Sequence, residues 1–218
     1  MGLPAMDHDS LGEAVPRRGN RFTRGLGRLI LALLGWRMVG AIPDRAKLVV
    51  IGAPHTSNLD ALVALGTALS LQVRIKVMVK ASVFRGPFDR LFRWLGGLPI
   101  ERAAAGGMVD QCIHAFGAHN QLLLGIAPEG TRSAPAQWKR GYYHVASGAG
   151  VPILPVVLDY ERRRVCFMPL IEPSGDYEKD WPAIIGSFDT AFPRHPERLS
   201  APLCEHLGWP YRGRGAPP

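Results

Sequence analysis

Residues 47–60 read KLVVIGAPHTSNLD, and this stretch passes from a buried strand through a turn into a helix. The uninterrupted apolar residues 48–51 predict a strand that is covered on both faces. Residues 58–71 have the composition of a helix, so that His55 falls in the turn and Asp60 in the first helical turn. In a parallel α/β sheet such a turn lies at the carboxyl end of a strand, where ligands bind.

The alternation of strands and helices continues along the chain. Further strands are predicted at residues 74–79, 122–127, 152–158 and 165–168, the last two as a hairpin. Further helices are predicted at residues 84–95, 103–118, 142–149 and 181–192. This order predicts an α/β fold, a single-domain sandwich with a largely parallel central sheet flanked by helices.

Length, charge and cysteine content limit the class of protein. At 218 residues one sizeable core is expected, and the formal net charge of +8 favours an anionic partner. Three scattered cysteines provide no disulfide framework, which indicates a reducing, cytoplasmic compartment. We expect four segments: a disordered or loose N-terminus (1–20), a basic amphipathic helix (21–43), the main domain (44–209) and a tail (210–218).

The basic helix has two possible environments. Its apolar residues recur at helical spacing, and they are Phe22, Leu26, Leu29, Ile30, Leu33 and Leu34. The arginine-rich helix could lie peripherally on an anionic membrane surface, with Trp36 at headgroup depth, or it could pack on the core. The apolar run 29–34 is far shorter than the roughly 20 residues of a membrane span. The polar first twenty residues do not resemble a secretory signal.

His55 and Asp60 have the spacing of a catalytic pair. A carboxylate one helical turn away can bond to one ring nitrogen and leave the other free to take a proton from a hydroxyl. Two structural interpretations compete with catalysis. The pattern Ser57-x-x-Asp60 also fits a helix capping box, and His55 could simply bond to the backbone of its loop.

A second polar turn, PEGTRS at residues 128–133, follows the predicted strand 122–127. It holds a glycine, an arginine and two hydroxyls, which are Gly130, Arg132, Thr131 and Ser133. The glycine permits a positive φ or a close backbone approach, and the planar guanidinium suits a phosphate. The spacing of a P-loop is absent. The turn is therefore either an anion site or a polar turn with a surface ion pair.

Metal and nucleic-acid sites are not expected. Cys112, His114 and His119 lie close together in a predicted helix, but no second pair of ligands follows at zinc spacing. Signatures of zinc fingers, RRM domains and helix-turn-helix domains are absent from the sequence, and the basic residues cluster beside apolar helical faces.

Together the two turns resemble the glycerolipid acyltransferase family, whose archetype is 1-acyl-glycerol-3-phosphate acyltransferase. His55 and Asp60 match the family's His-x-x-x-x-Asp block, and residues 128–133 match its Pro-Glu-Gly-Thr-Arg-Ser block without gaps. Residues 96–102, GGLPIER, look like its glycine-rich second block. Residues 151–156, VPILPV, are similar to its proline-flanked fourth block.

The resemblance implies a glycerol-3-phosphate acyltransferase-like fold and an O-acyltransferase of phospholipid biosynthesis. His55 would deprotonate the hydroxyl of a lysophospholipid, which attacks an acyl thioester on coenzyme A or acyl-carrier protein, and Asp60 would orient His55. No cofactor beyond that co-substrate is implied, and an anionic membrane is the implied surface. The residues implied in substrate binding are Arg102, Glu129, Gly130, Thr131, Arg132, Ser133, Lys80 and Lys139.

Three positions depart from the family pattern. Pro54 stands where asparagine is frequent, Ala127 replaces a common phenylalanine, and Glu101 replaces aspartate. These changes remove no catalytic group, but they leave the acceptor open, and another lipid or alcohol is the first alternative. A non-catalytic lipid-binding protein of the same fold is the second, which the presence of both His55 and Asp60 disfavours.

Overall fold

The structure is a computed structural model that describes residues 3–85, 89–101 and 107–213, with Lys80, Val83 and Arg85 described by their backbone alone. The strands are β1 (Arg37–Gly40), β2 (Lys47–Ala53), β3 (Ile75–Lys80), β4 (Gly97–Ile100), β5 (Leu122–Ile126), β6 (Ile153–Asp159) and β7 (Arg164–Phe167). The helices are α1 (Arg21–Leu34), α2 (Leu59–Leu71), α3 (Asp89–Trp94), α4 (Gly107–Ala118), α5 (Gly141–Ala149), α6 (Tyr177–Gly186) and α7 (Ala201–Leu207).

All seven strands form one sheet in the order β1-β7-β6-β2-β5-β3-β4. Neighbouring strands are parallel except for the antiparallel pair β6 and β7, which is the predicted hairpin. The predicted fold class is confirmed. The middle of the sheet is β6-β2-β5, in which Val49 pairs with both Leu124 and Ile153.

The apolar run of β2 is uninterrupted because both of its faces are covered. Val49 and Ile51 point to the core layer shared with Phe116 and Tyr142 of α4 and α5. Leu48 and Val50 point to the opposite layer. Since side chains alternate between the faces of a strand, a strand buried on both sides has no polar position to interrupt the run.

Several element boundaries differ from the prediction. The predicted helix 84–95 consists of a 3-10 turn, Ala81–Arg85, and the short α3. The predicted helix 181–192 begins earlier, because the Asp176 side chain accepts hydrogen bonds from the N–H groups of Glu178 and Lys179 and so caps α6. Of the predicted helix 103–118, residues 103–106 lie outside the described residues. The strands β1 and β4 and the helix α7 were not predicted.

The prediction of a loose N-terminus is wrong for residues 3–20. Met6, Leu11 and Val15 are buried in the core layer beneath α1 and α2. The Met6 N–H donates to the Met38 carbonyl of β1 at 3.1 Å. Burial of three apolar side chains offsets the ordering entropy of this segment. The prediction of helix throughout 21–43 is also wrong, because β1 occupies its last part.

Helix α1 has two different apolar faces. Its inner face packs on α2 through Leu31 and through Gly27, where an added Cβ would lie 2.3 Å from the backbone nitrogen of Ser70. Its outer face is an exposed stripe, defined here as Phe22, Leu26, Leu29 and Leu33, with Phe22 and Leu33 each 78% exposed. Packing on the core, one of the two environments considered for this helix, is therefore present on its inner face, while the outer stripe is exposed.

Trp36 does not sit at the surface as expected. It is only 6% exposed and packs edge-on against Tyr160, with the ring centroids 4.7 Å apart. The turn from α1 into β1 carries the indole into the core, because Gly35 ends the helix in the left-handed conformation with φ of 73°.

Candidate active site

The predicted polar turns meet because the strands before them are neighbours. The parallel strands β6, β2 and β5 lie side by side, so their carboxyl ends reach the same edge of the sheet. His55 follows β2, the turn 128–133 follows β5, and Tyr160 follows β6. This edge is where an open α/β sheet binds its ligands.

The buried carboxylate of Asp60, 3% exposed, holds the histidine. Its Oδ2 lies 3.1 Å from His55 Nδ1 and accepts a 2.8 Å hydrogen bond from the Ser57 N–H, while its Oδ1 accepts one from the Tyr160 hydroxyl. The Asp60 carboxylate therefore contacts both His55 and the backbone at the start of α2, so a structural role at the helix start does not exclude the pairing with His55. Burial alone would raise the pKa of Asp60, but the bonds from His55, Tyr160 and Ser57 hold this pKa below its ordinary value.

The tautomer of His55 follows from its second ring nitrogen. Arg132 Nε, which can only donate, lies 3.1 Å from His55 Nε2. Nε2 is therefore the accepting nitrogen, and the proton sits on Nδ1 facing Asp60. A lone pair on Nε2 at the open side of the site is what a general base requires.

Glu129 lies behind His55 and away from the open side. Its carboxylate is only 1% exposed and accepts a hydrogen bond from the His55 backbone N–H. Burial raises the pKa of Glu129 to about 6, although that bond and one from the Ser200 hydroxyl favour its anion. The side chain therefore ties the turn after β5 to the turn after β2.

The rest of the second turn faces outward. Gly130, Thr131, Arg132 and Ser133 are exposed. Gly130 has φ of +65°, and an added Cβ would lie 2.8 Å from the side chain of Lys139. The turn is thus folded against Lys139, whose N–H donates to the Pro128 carbonyl at 2.8 Å.

Two predicted binding residues cannot be placed. Arg102 lies outside the described residues, and Lys80 is described by its backbone alone. The structure brings together His55, Asp60, Glu129 and the exposed turn 130–133.

An apolar cavity of about 230 Å³ opens beside the turn at Gly130 and Lys139 and runs between the sheet and α4 and α5. Its apolar lining includes Met78, Ile100, Val109, Ile126, Ala127 and Val145. Ala127 is one of the departures from the family pattern, and its small side chain leaves room here that a phenylalanine would fill.

The C-terminal segment 192–201 braces both turns, which sequence reasoning missed. The His195 N–H donates to the Thr56 hydroxyl at 3.3 Å, and Arg198 donates to the Thr56 carbonyl at 3.4 Å. On the other side, the Ala134 N–H donates to the Arg198 carbonyl at 3.0 Å. No local signal marks these residues. Tyr160, by contrast, follows a predicted strand and could have been found by the rule that pointed to His55.

Over residues 3–85, 89–101 and 107–213, no group of three histidine, cysteine, aspartate or glutamate side chains is arranged to hold a metal ion. Cys112 is buried against Met78, and burial raises its pKa to about 11. In the same ranges no helix has the length and apolar character needed to cross a membrane.

A sequence profile of a family described as Acyltransferase matches residues 39–159, more than half of the chain. The chain belongs to the acyltransferase family. The match spans the turns after β2 and β5 and ends at the last residue of β6, so that Tyr160 and the bracing segment 192–201 lie beyond the matched residues.

Curated relatives agree with this assignment, and a solved structure shares the fold. The chain is 30% identical over 120 residues to the 1-acyl-sn-glycerol-3-phosphate acyltransferase of Escherichia coli K12 and 32% identical to that of Salmonella typhimurium. Each match covers 52% of this chain and 47% of the relative, so the chain spans about half the length of the curated relatives it matches. The crystal structure of the 1-acyl-sn-glycerophosphate acyltransferase PlsC from Thermotoga maritima shares the fold, with a TM-score of 0.53, 18% identity and coverage of 75% of this chain and 74% of that one.

The raised pKa of Glu129 predicts a pH-dependent loss of stability. Its pKa is higher in the folded chain than the ordinary 4.5, so the folded state holds the proton more tightly and stability falls as pH rises from about 4.5 to about 6. Glu129→Gln removes this titration, so from pH 4.5 to pH 6 the free energy of unfolding of this variant should fall by about 1 kcal/mol less than that of the unmodified protein. Urea unfolding at a series of pH values measures the difference. Glu178→Gln, at an exposed position, is the control, and the same pH dependence in all three proteins would contradict the prediction.

Proposed function

We propose that this family member is an O-acyltransferase that moves a fatty acyl chain from a thioester donor to the hydroxyl of a lysophospholipid such as 1-acyl-sn-glycerol-3-phosphate. The observation that carries the proposal is the contact of Arg132 with Nε2 of His55, the nitrogen that holds the lone pair. This contact places a guanidinium group, which can bind an anion, beside the imidazole that acts as the base. The names of the curated relatives support the same acceptor class.

His55 acts as the general base. Nε2 takes the proton of the acceptor hydroxyl as its oxygen attacks the thioester carbonyl, and the Asp60 carboxylate stabilises the imidazolium that forms. The tetrahedral intermediate collapses with loss of the thiolate, which receives the proton from His55. The products are the ester and the free thiol of coenzyme A or carrier protein, and no acyl-enzyme forms.

Arg132 selects an anionic acceptor. A phosphate draws the guanidinium away from Nε2 into a bidentate pair, which frees the lone pair of His55. In 1-acyl-sn-glycerol-3-phosphate the free hydroxyl is on the carbon next to the one that bears the phosphate. A phosphate on Arg132 therefore delivers that hydroxyl to Nε2. Lys139 adds a second positive charge, while Glu129 fixes the loop of His55 from behind.

The acyl chain occupies the apolar cavity beside Gly130. Its mouth lies at the same turn as Arg132, so a chain inside it presents its thioester to the acceptor. Burial of methylene groups there contributes about 0.8 kcal/mol each. Arg102 and Lys80 stay predicted contacts of the substrates, as do the exposed hydroxyls of Thr131 and Ser133.

The outer stripe of α1 docks the protein on an anionic membrane, the source of the lysolipid. Four exposed apolar side chains on one helix face would enter the headgroup boundary. Arg21 and Arg28, both exposed, flank the stripe by helical spacing. Each arginine near an anionic surface adds about 1 kcal/mol.

Loss of the base should slow acyl transfer strongly while leaving the fold intact. His55→Ala removes the group that takes the proton, so the rate of acyl transfer should fall by about 10²–10⁴. The assay follows release of free thiol with acyl-coenzyme A and with acyl-carrier protein, against lysophosphatidic acid, neutral lysolipids and simple alcohols. His206→Ala disrupts another histidine–aspartate pair, with Asp189, and is the matched control. Near-normal transfer by folded His55→Ala would refute the mechanism, and an active acceptor without an anionic group would redirect the acceptor assignment.

Replacement of the arginine fork should weaken acceptor binding. Arg132→Lys keeps the charge but loses the two-pronged geometry, so kcat/KM for an anionic acceptor should fall by about tenfold, mainly through KM. Steady-state kinetics at limiting acceptor measures this. Arg93→Lys, which alters an exposed arginine paired with Asp89, is the control. Equal kinetics of Arg132→Lys and the unmodified protein would make Arg132 a structural residue.

Membrane docking is tested by point variants. Deletion of residues 1–37 would remove Met6, Leu11, Val15, Leu31 and Trp36 from the core and unfold the chain. Leu29→Gln combined with Leu33→Gln should instead reduce binding to anionic vesicles at least tenfold, because two buried leucines contribute about 1.5–3 kcal/mol each. Co-sedimentation with anionic and neutral vesicles at low and high salt measures the loss. Leu91→Gln, comparably exposed on α3, is the control, and equal losses in both proteins would contradict docking through α1.

A further inference from the structure

Tyr160 completes the hydrogen bonding of the Asp60 carboxylate. The two contacts of Oδ2 are with His55 and the Ser57 N–H, and the Tyr160 hydroxyl donates to Oδ1. Tyr160 stands 100 positions from Asp60 and just beyond the residues that the family profile matches. Nothing in the two sequence motifs identifies it.

The ring of Tyr160 is held in place independently of Asp60. Trp36 packs edge-on against it, with an angle of 88° between the ring planes. The Tyr160 N–H donates to the carbonyl of Phe192 at 3.0 Å, at the start of the bracing segment. Because these contacts already fix the Tyr160 ring, the hydroxyl can bind Asp60 with little further loss of side-chain conformational entropy.

We infer that Tyr160 is a positioning residue for acyl transfer, whose hydroxyl holds the Asp60 carboxylate in the one orientation that presents Oδ2 to His55 Nδ1. The inference rests on the proposed role of His55 as general base. A carboxylate bonded through one oxygen only can rotate about its Cβ–Cγ bond. A donor on Oδ1 opposes that rotation, and the tautomer that leaves Nε2 unprotonated depends on it.

The charges around Asp60 predict how replacing Tyr160 with phenylalanine changes the pH dependence of the rate. Burial and the neighbouring Asp60 anion raise the pKa of Tyr160, so its hydroxyl remains a donor at neutral pH. Besides His55 and Tyr160, the charged groups that influence the pair are Glu129, near Asp60, and Arg194, near Tyr160. In Tyr160→Phe the anion of Asp60 loses a donor, which favours protonation of the His55–Asp60 pair. The acid limb of the pH–rate profile must then move to higher pH.

Kinetics of Tyr160→Phe are the first test. This variant keeps the ring against Trp36 and removes the hydroxyl alone. We expect kcat to fall about 10–100-fold, because the lost bond is to a charged group, with KM for the acceptor unchanged and the acid limb shifted upward. Tyr143→Phe is the matched control, since Tyr143 donates to Asp180 at 2.7 Å in another part of the fold. It should leave both kcat and the acid limb unchanged.

A double-mutant cycle tests the contact without any activity. Urea unfolding of Tyr160→Phe, Asp60→Ala and the double variant should show non-additive losses of stability, because both single variants break the same bond. Additive losses would overturn the inference whatever the kinetics.

The outcomes separate this inference from the proposed function. If the unmodified protein transfers acyl groups and Tyr160→Phe matches it in kcat and acid limb, positioning by Tyr160 is wrong while the function stands. If the unmodified protein transfers nothing to any acceptor, the proposed function is wrong and the catalytic part of this inference falls with it. The cycle then still decides whether Tyr160 holds Asp60.

Discussion

The adjacency of β6, β2 and β5 is the constraint on which the site depends. Three parallel strands side by side bring three turns to one edge of the sheet, although these turns are far apart in sequence. A pair of neighbouring antiparallel strands would send consecutive carboxyl ends to opposite edges. The buried apolar runs of the strands, covered on both faces, are what makes this parallel arrangement stable.

At that edge, the Asp60 carboxylate accepts hydrogen bonds from residues that are near it in sequence and from one that is distant. His55 and Ser57 are local neighbours in the turn and helix start, whereas Tyr160 arrives from β6. Glu129 ties the backbone of the same turn to the strand on the other side. These buried polar contacts are strong because water is excluded, and the same exclusion makes the loss of any one partner costly.

The segments outside the family match provide the frame for this centre. The N-terminal residues and α1 cover one layer of the core. Trp36 belongs to this layer and packs against the ring of Tyr160. On the other side, residues 192–201 hold the turn after β2 against the turn after β5. Helix α1 has two different faces: its inner face belongs to the core through Gly27 and Leu31, and its outer stripe is exposed.

Sequence alone determined the local features. Each of these features is encoded within about ten residues: the apolar runs of β2, β5 and β6, the glycine of the turn at Gly130, and the spacing of His55 and Asp60. The four motif blocks identified the family. Only the tertiary structure decided which side of the site Glu129 occupies, that Trp36 is buried, that residues 3–20 are packed and that Tyr160 reaches Asp60. These contacts join residues 74 to 124 positions apart or depend on whole layers of the core, which no local pattern records. Burial and long-range hydrogen bonds are properties of the packed chain, because they exist only once distant segments exclude water from one another.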